Sequence, residues 1–159
     1  MFSKTFGYAL RGMLYIALMQ DEKRYVQVEE IAGKLTVPRH FMGKILKKLA
    51  QRGLLVSAKG PAGGFKLNNE ALTTSLIQVV DITDGLAAFK SCVLSVKECN
   101  SLNPCPMHHQ MVAVKTQLQD FLSNTTIGDL LTDNKTDFIK SISTGLNSTD
   151  RHNISKIIY

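Results

Sequence analysis

The stretch Thr36-Val37-Pro38-Arg39-His40-Phe41-Met42-Gly43-Lys44-Ile45-Leu46-Lys47-Lys48-Leu49-Ala50-Gln51-Arg52-Gly53-Leu54-Leu55-Val56-Ser57-Ala58-Lys59-Gly60-Pro61-Ala62-Gly63-Gly64-Phe65-Lys66-Leu67 decides the fold of this 159-residue chain. Thr36 is a residue type that caps helices, and Pro38 is tolerated in a first turn, where its missing N–H costs nothing. From Pro38 to Gln51 the spacing puts Phe41, Ile45, Leu46 and Leu49 on one face, with Arg39, His40, Lys44, Lys47, Lys48 and Arg52 around the rest. That pattern predicts a basic amphipathic helix. Gly53 stops it, because glycine enters the left-handed region without a Cβ penalty. Leu54 to Ser57 and Phe65 to Leu67 then read as two short strands around a Gly60–Gly64 turn.

Upstream, Val28 to Leu35 sets Ile31, Ala32 and Leu35 against Glu29, Glu30 and Lys34, a short helix leading into the Thr36-Val37-Pro38 turn. A first helix is predicted from Phe6 to Met19, where Phe6, Ala9, Leu10, Met13, Leu14 and Ala17 recur at three and four. Two short helices around a tight turn, the second basic, make a helix-turn-helix. The hairpin that follows is a wing, with Lys59 at its tip and Gly60 and Gly63 allowing close approach to a phosphate or groove floor. The predicted fold is therefore mainly α with a small β-wing: a winged helix-turn-helix plus a long dimerisation helix.

Charge follows the same division. Residues 1–70 hold 12 Lys or Arg against 5 Asp or Glu, a balance of +7, whereas the remaining 89 residues hold 7 against 8. Between Glu30 and Glu70 there are eight basic side chains and no acid. A solvated basic face is the plain reading of such a run; placed on a helix-turn-helix, it points to a localised polyanionic partner. The N-terminal apolar stretch is broken by Arg11 and Gly12, and nothing approaches the roughly 20 apolar residues of a membrane span. A cytoplasmic chain with no membrane partner is expected.

Beyond the wing, Leu72 to Ile82 is predicted as one helix closed by Asp84-Gly85. All three cysteines, Cys92, Cys99 and Cys105, follow within fourteen residues, with His108 three positions later. Three is an odd number for a disulfide framework, and clustered soft donors with an imidazole suit a metal or iron–sulfur site. Structural zinc satisfies the same donors, although close Cys-x-x-Cys pairs are missing, and a metal-free thiol switch is a third reading. An enzyme using Cys105 and His108 as nucleophile and base lacks an orienting acid nearby and leaves the basic third of the chain unexplained.

From Met107 to Leu122 the residues Met107, Met111, Val114, Leu118 and Phe121 form a heptad seam that a second copy of the chain would cover. Thr126-Ile127-Gly128-Asp129 has the form of a capping box before Leu130-Leu131. The expected organisation is a DNA-binding region over 1–85, a cysteine-bearing loop over 86–106, the dimerisation and terminal helices over 107–134, and a flexible tail over 135–159 with one turn at Phe138 to Ile142.

On these motifs the chain resembles the IscR/NsrR family of bacterial winged helix-turn-helix transcription regulators, in its cluster-binding branch. The resemblance covers residues 3 to 132. It is carried by Tyr8-Ala9-Leu10-Arg11, Ile31-Ala32, Val37-Pro38, Phe41-Met42-Gly43-Lys44-Ile45-Leu46 and Gly53-Leu54-Leu55, then by the wing Gly60–Leu67, the cysteines with Cys105-Pro106-Met107-His108, and Ile127-Gly128-Asp129-Leu130-Leu131. It implies a homodimer that regulates transcription on a near-palindromic double-stranded DNA operator and senses redox, nitric oxide or iron–sulfur status. Recognition helices would enter successive major grooves, and wings the adjacent minor grooves.

The resemblance makes Cys92, Cys99, Cys105 and His108 the ligands of an iron–sulfur cluster, 2Fe-2S ahead of 4Fe-4S, with zinc as the alternative metal. It places Arg39 and His40 at base edges, Lys44, Lys47 and Lys48 at phosphates, and Lys59 where relatives present an arginine. The gap of six residues between Cys92 and Cys99 is one longer than in many relatives. In the nitric-oxide-sensing branch a carboxylate of the partner's first helix serves as a ligand, and Ser3-Lys4-Thr5-Phe6-Gly7-Tyr8 offers none here.

Overall fold

The computed structural model describes residues 2–19, 24–68, 70–131 and 135–143. Helix α1 spans Lys4–Leu18, α2 Val28–Leu35 and α3 Arg39–Gln51; strands β1 (Leu55–Ala58) and β2 (Gly64–Leu67) follow. A 3-10 turn at Ala71–Thr73 leads to α4 (Leu76–Thr83), α5 (Ala87–Lys90), the long α6 (His108–Asn124), a 3-10 turn at Gly128–Leu130 and α7 (Lys135–Ser143). The fold is mainly α with one two-stranded antiparallel sheet, the winged helix-turn-helix arrangement that residues 36–67 predict.

One core joins the first four helices and the wing. Met13 and Ile16 of α1, Ile31 and Leu35 of α2, Met42, Leu46 and Leu49 of α3, Leu67 of β2 and Val79 of α4 are all nearly inaccessible. Gly12 lets α1 approach α3 closely, since a Cβ there would stand 3.3 Å from the Met42 sulfur. The wing pairs Leu55 with Leu67 and Ala58 with Gly64, and a further bridge ties Phe65 to Val26 ahead of α2. Burial therefore fixes the orientation of both the recognition helix and the wing.

Four local readings are corrected. Met42, not Phe41, faces the core: Phe41 is 51% exposed and Met42 is fully buried. The buried set 42, 45, 46, 49 keeps the i, i+3, i+4, i+7 pattern, and Phe41 lies about 100° off it. Thr36 does not begin α3; it closes α2 in the left-handed region (φ 54°), and Pro38 takes the N-cap position of α3. The tight reversal requires that conformation even at a β-branched residue.

The helix expected from Leu72 to Ile82 is broken at Thr74. There the backbone turns extended, the Thr74 carbonyl accepts from Ile127 N–H (3.0 Å) and Leu76 N–H donates to the Thr125 carbonyl (2.9 Å). These bonds fasten the far end of α6 to the start of α4. The turn expected at Phe138 to Ile142 is instead part of the nine-residue α7. Its Phe138, Ile139 and Ile142 pack on the core, and Arg11 donates to the carbonyls of Ile142, Ser143 and Leu35. The rest of the expected tail, 144–159, lies outside the described residues.

The reciprocal cap at Thr126 is present. Its N–H and hydroxyl both donate to Asp129 Oδ2 (2.8 and 2.7 Å), and Asp129 N–H donates back to Thr126 Oγ1 (3.2 Å).

Candidate metal centre and nucleic-acid interface

Residues 91–107 form a long loop between α5 and α6, and its burial has one pattern: every residue is exposed except Cys92, Cys99 and Cys105, which are half-buried. Val93, Leu94, Val96 and Leu102 all face solvent, Leu102 at 97% exposure. Apolar burial does not shape this loop; it closes around sulfur. Long loops without regular structure in compact proteins are commonly functional.

Several local bonds set the three arms. Ser95 lies at φ 57° and donates to the Cys92 carbonyl (3.0 Å). Asn100 Oδ1 accepts from the N–H groups of Leu102 and Asn103, both at 2.9 Å, turning the chain back toward Cys105. His108 N–H donates to the Cys105 carbonyl (2.9 Å), which starts α6 and holds the imidazole beside the sulfurs.

The three Sγ atoms lie within 4.8 Å of one another. Cys92 and Cys105 are 3.7 Å apart, and Cys99 Sγ is 3.2 Å from His108 Nδ1. Two thiolates bound at 2.3 Å to one tetrahedral ion stand about 3.8 Å apart, so the Cys92–Cys105 separation already suits shared coordination. No carboxylate lines the cavity of about 200 Å³ beside these donors; its walls include Phe89, Met111 and Lys115. The donor set, soft and close without a disulfide, fits a thiophilic metal or cluster.

The thiols are not equivalent. The Val96 backbone N–H, aided by Leu94 N–H and the neighbouring thiols, holds Cys92 below the ordinary cysteine value against the opposing effect of burial. At Cys99 the Cys105 N–H pulls the same way, but burial and the adjoining Cys105 and Cys92 sulfurs outweigh it and raise the thiol. Three thiolates at this spacing repel one another unless a cation joins them.

Sequence reasoning overlooked Lys115 on α6. It is only 8% exposed, and its ammonium donates to the carbonyl of Ser91, directly before Cys92. The available signal was its position seven residues after His108, on the same helical face.

The DNA-side candidates separate into two groups. Arg39, His40, Lys44, Lys47 and Lys48 are all exposed on α3, and Lys59 and Gly60 are exposed at the wing tip. Lys47 and the wing residues Val56 and Ser57 border one groove, so helix and wing adjoin there. Arg39 is ion-paired with Glu29 of α2, whose carboxyl its own backbone N–H and Arg39 hold below the usual range.

Gly63 differs from the rest. It is buried inside the turn, where an added Cβ would stand 2.3 Å from the Ala58 carbonyl oxygen. Its lack of a side chain lets the hairpin close, as does that of Gly64, where a Cβ would meet the Val26 carbonyl at 2.4 Å. Gln27 Nε2 donates to the Pro61 carbonyl (2.7 Å), bracing the wing tip against the approach to α2.

The expected seam of α6 is open only in part: Met107, Val114 and Phe121 are 41%, 49% and 56% exposed, while Met111 lines the cavity beside the cysteines and Leu118 packs on the core. No helix among the described residues is long and apolar enough to cross a membrane.

A family model described as Rrf2, iron-dependent transcriptional regulator, matches residues 2–133. The chain is 39% identical to an HTH-type transcriptional regulator of Aquifex aeolicus, over 82% of this chain and 90% of the relative. It is 29% identical to the HTH-type transcriptional regulator IscR of Vibrio vulnificus, over 80% and 75%. Two solved structures share the fold: CymR, the global cysteine regulator of B. subtilis (TM-score 0.67, 20% identity, 82% and 95% covered), and IscR of T. potens (TM-score 0.66, 20% identity, 86% and 90% covered).

Proposed function

Because the chain belongs to the Rrf2 family of iron-dependent, DNA-binding transcriptional regulators and not to an enzyme family, we propose that it is a cytoplasmic homodimer whose operator binding responds to an iron–sulfur cluster on Cys92, Cys99, Cys105 and His108. The observation that carries this reading is the loop whose only shielded residues are the three cysteines, their sulfurs within 4.8 Å of one another. The donors fall into two close pairs, Cys92 with Cys105 and Cys99 with His108. Four protein donors of this kind would hold a 2Fe-2S centre.

When bound, such a cluster supplies one-electron redox chemistry and sensitivity to oxidants and nitric oxide. The chain converts its presence into shape. Cys92 follows α5, whose Phe89 is buried in the core, whereas Cys105 and His108 start α6, whose far end is bonded to α4. Gathering the four donors therefore fixes the start of α6 relative to the winged region. In a dimer built on the Met107, Val114 and Phe121 seam, that angle sets the separation of two recognition helices, which must match about 34 Å of DNA.

On the DNA, Arg39 exchanges Glu29 for a base edge, with His40 beside it. Lys44, Lys47 and Lys48 meet phosphates, and Lys59 with Gly60 enters the minor groove. Arg39→Ala should cost about 1–3 kcal/mol at the base it reads and relax preference there.

The test is purification without oxygen, followed by absorbance, iron and sulfide analysis, sedimentation, and operator binding before and after iron removal. Brown protein with iron and sulfide in equal amount, a dimer, and an operator affinity that changes on iron removal support the reading. A colourless protein with one zinc per chain and unchanged affinity would replace the sensor with a structural metal.

A further inference from the structure

Lys115 is shielded from solvent and makes no ion pair among the described residues. It is one of two buried polar or charged residues among the described residues, the other being the neutral Thr74. The cavity it lines holds three cysteines, His108 and a second lysine, Lys90, but no carboxylate. Its ammonium donates to the Ser91 carbonyl, a neutral acceptor. A shielded ammonium is costly unless paired, and a negative group bound in this cavity would pair it.

We propose that Lys115 is the positioning and charge-balancing residue of the cysteine centre: it ties the Cys92 arm to α6 through Ser91 and supplies the positive charge opposite the bound thiolates. The inference rests on the cluster reading above. Lys115 lies two helical turns from His108, so one face of α6 presents both the imidazole donor and the cation. Its bond to Ser91 joins the two ends of the loop, since Ser91 precedes Cys92 and α6 begins just after Cys105.

The charges balance as follows. Were a 2Fe-2S cluster bound there, three thiolates, two sulfides, two ferric ions and a neutral imidazole would sum to −1, and one electron from dithionite would take that sum to −2. A fixed cation stabilises the second state more than the first, and so raises the reduction potential.

Three variants of the full chain separate tether from charge: Lys115→Arg keeps both, Lys115→Gln keeps a donor without charge, and Lys115→Met keeps neither. In anaerobic dithionite titrations, Lys115→Gln and Lys115→Met should shift the midpoint to lower potential, with Lys115→Arg near the parent. In metal-free protein, amide exchange over 91–99 should quicken several-fold in Lys115→Met and stay near the parent in Lys115→Arg and Lys115→Gln.

A midpoint that does not move in Lys115→Gln would overturn the charge role, and unchanged exchange in Lys115→Met would overturn the tether. Should Lys115→Met lose the cluster or the fold, Lys115→Gln against Lys115→Arg still decides the potential. A parent chain without iron and sulfide would instead sink the cluster reading, and exchange in the metal-free series would still decide the tether.

Discussion

The winged region and the cysteine loop are ordered by different physics. From α1 through α4 each helix contributes fully buried apolar side chains to a common core, whereas across residues 91–107 only the three cysteines are shielded from solvent. The first region holds its shape through its own apolar contacts. The second has donor atoms where a core would be. On the proposed reading such a split would let the DNA-binding surface stay folded while the loop responds to its ligand.

The sharpest test of the comparison sets one core truncation against one ligand truncation. Leu46→Ala should destabilise the metal-free chain by about 2–5 kcal/mol, since Leu46 is fully buried between α3 and α1. Cys92→Ala should cost under about 1 kcal/mol in the same denaturant titration, because the residues around it are already exposed. Equal losses would mean that the loop is part of the cooperative core and not a separate ligand-dependent segment.

The next effect tests whether the wing belongs to the rigid half. Gly64 sits at φ 143°, and any Cβ there collides with the Val26 carbonyl. Gly64→Ala should cost about 1–3 kcal/mol and detach Val26 from Phe65, visible as loss of amide protection at both. Gly60, at φ 100° with open space around it, should lose less on the same substitution, because strain acts there without a clash. A Gly60→Ala variant as damaged as Gly64→Ala would argue that the whole wing, tip included, is packed.

What the sequence disclosed follows the same division. The helix-turn-helix and wing were legible because periodicity and turn chemistry specify them locally, and the misreading of Phe41 for Met42 was an error of one residue on a helix face. The cysteines were legible as a donor set through their residue types. For Lys115 the only local signal is its place seven residues after His108; its burial arises when α5 and α6 close around the loop, a long-range event. The break at Thr74 was hidden for a related reason: the strand-like bonds that interrupt the helix come from residues 125–127. Likewise, the DNA-facing reading of Gly63 lacked the Ala58 carbonyl that explains it.

The basic face offers a smaller effect. Lys47 and Lys48 are exposed and make no ion pair among the described residues, so they contribute little to folding. Lys47→Ala and Lys48→Ala should leave the unfolding midpoint unchanged and lower DNA affinity across all sequences, each reducing the slope of log affinity against log salt by about 0.9. An unchanged slope would remove those side chains from the phosphate-contacting surface.

The smallest effect lies at Glu30, where the winged region uses charge instead of apolar burial. Arg24 donates to both Glu30 oxygens (2.7 and 2.9 Å) and the Tyr15 hydroxyl to Oε1 (2.9 Å). The Arg24 bonds, helped by Tyr15 and opposed by burial, hold this carboxyl below the ordinary glutamate value. The folded state therefore binds its proton less readily than the unfolded chain, whose glutamates titrate near about 4.3. The contribution is fully present above that pH and is lost as pH falls through the folded value. Because Arg24 is 41% exposed, solvent screening keeps the contribution under about 1 kcal/mol. The stability difference between the parent and Glu30→Gln should thus be constant from neutral pH down to about 5 and shrink below about 4. A gap that widened on acidification would mean that Glu30 is protonated more easily folded than unfolded, and that its three donors do not stabilise its charge.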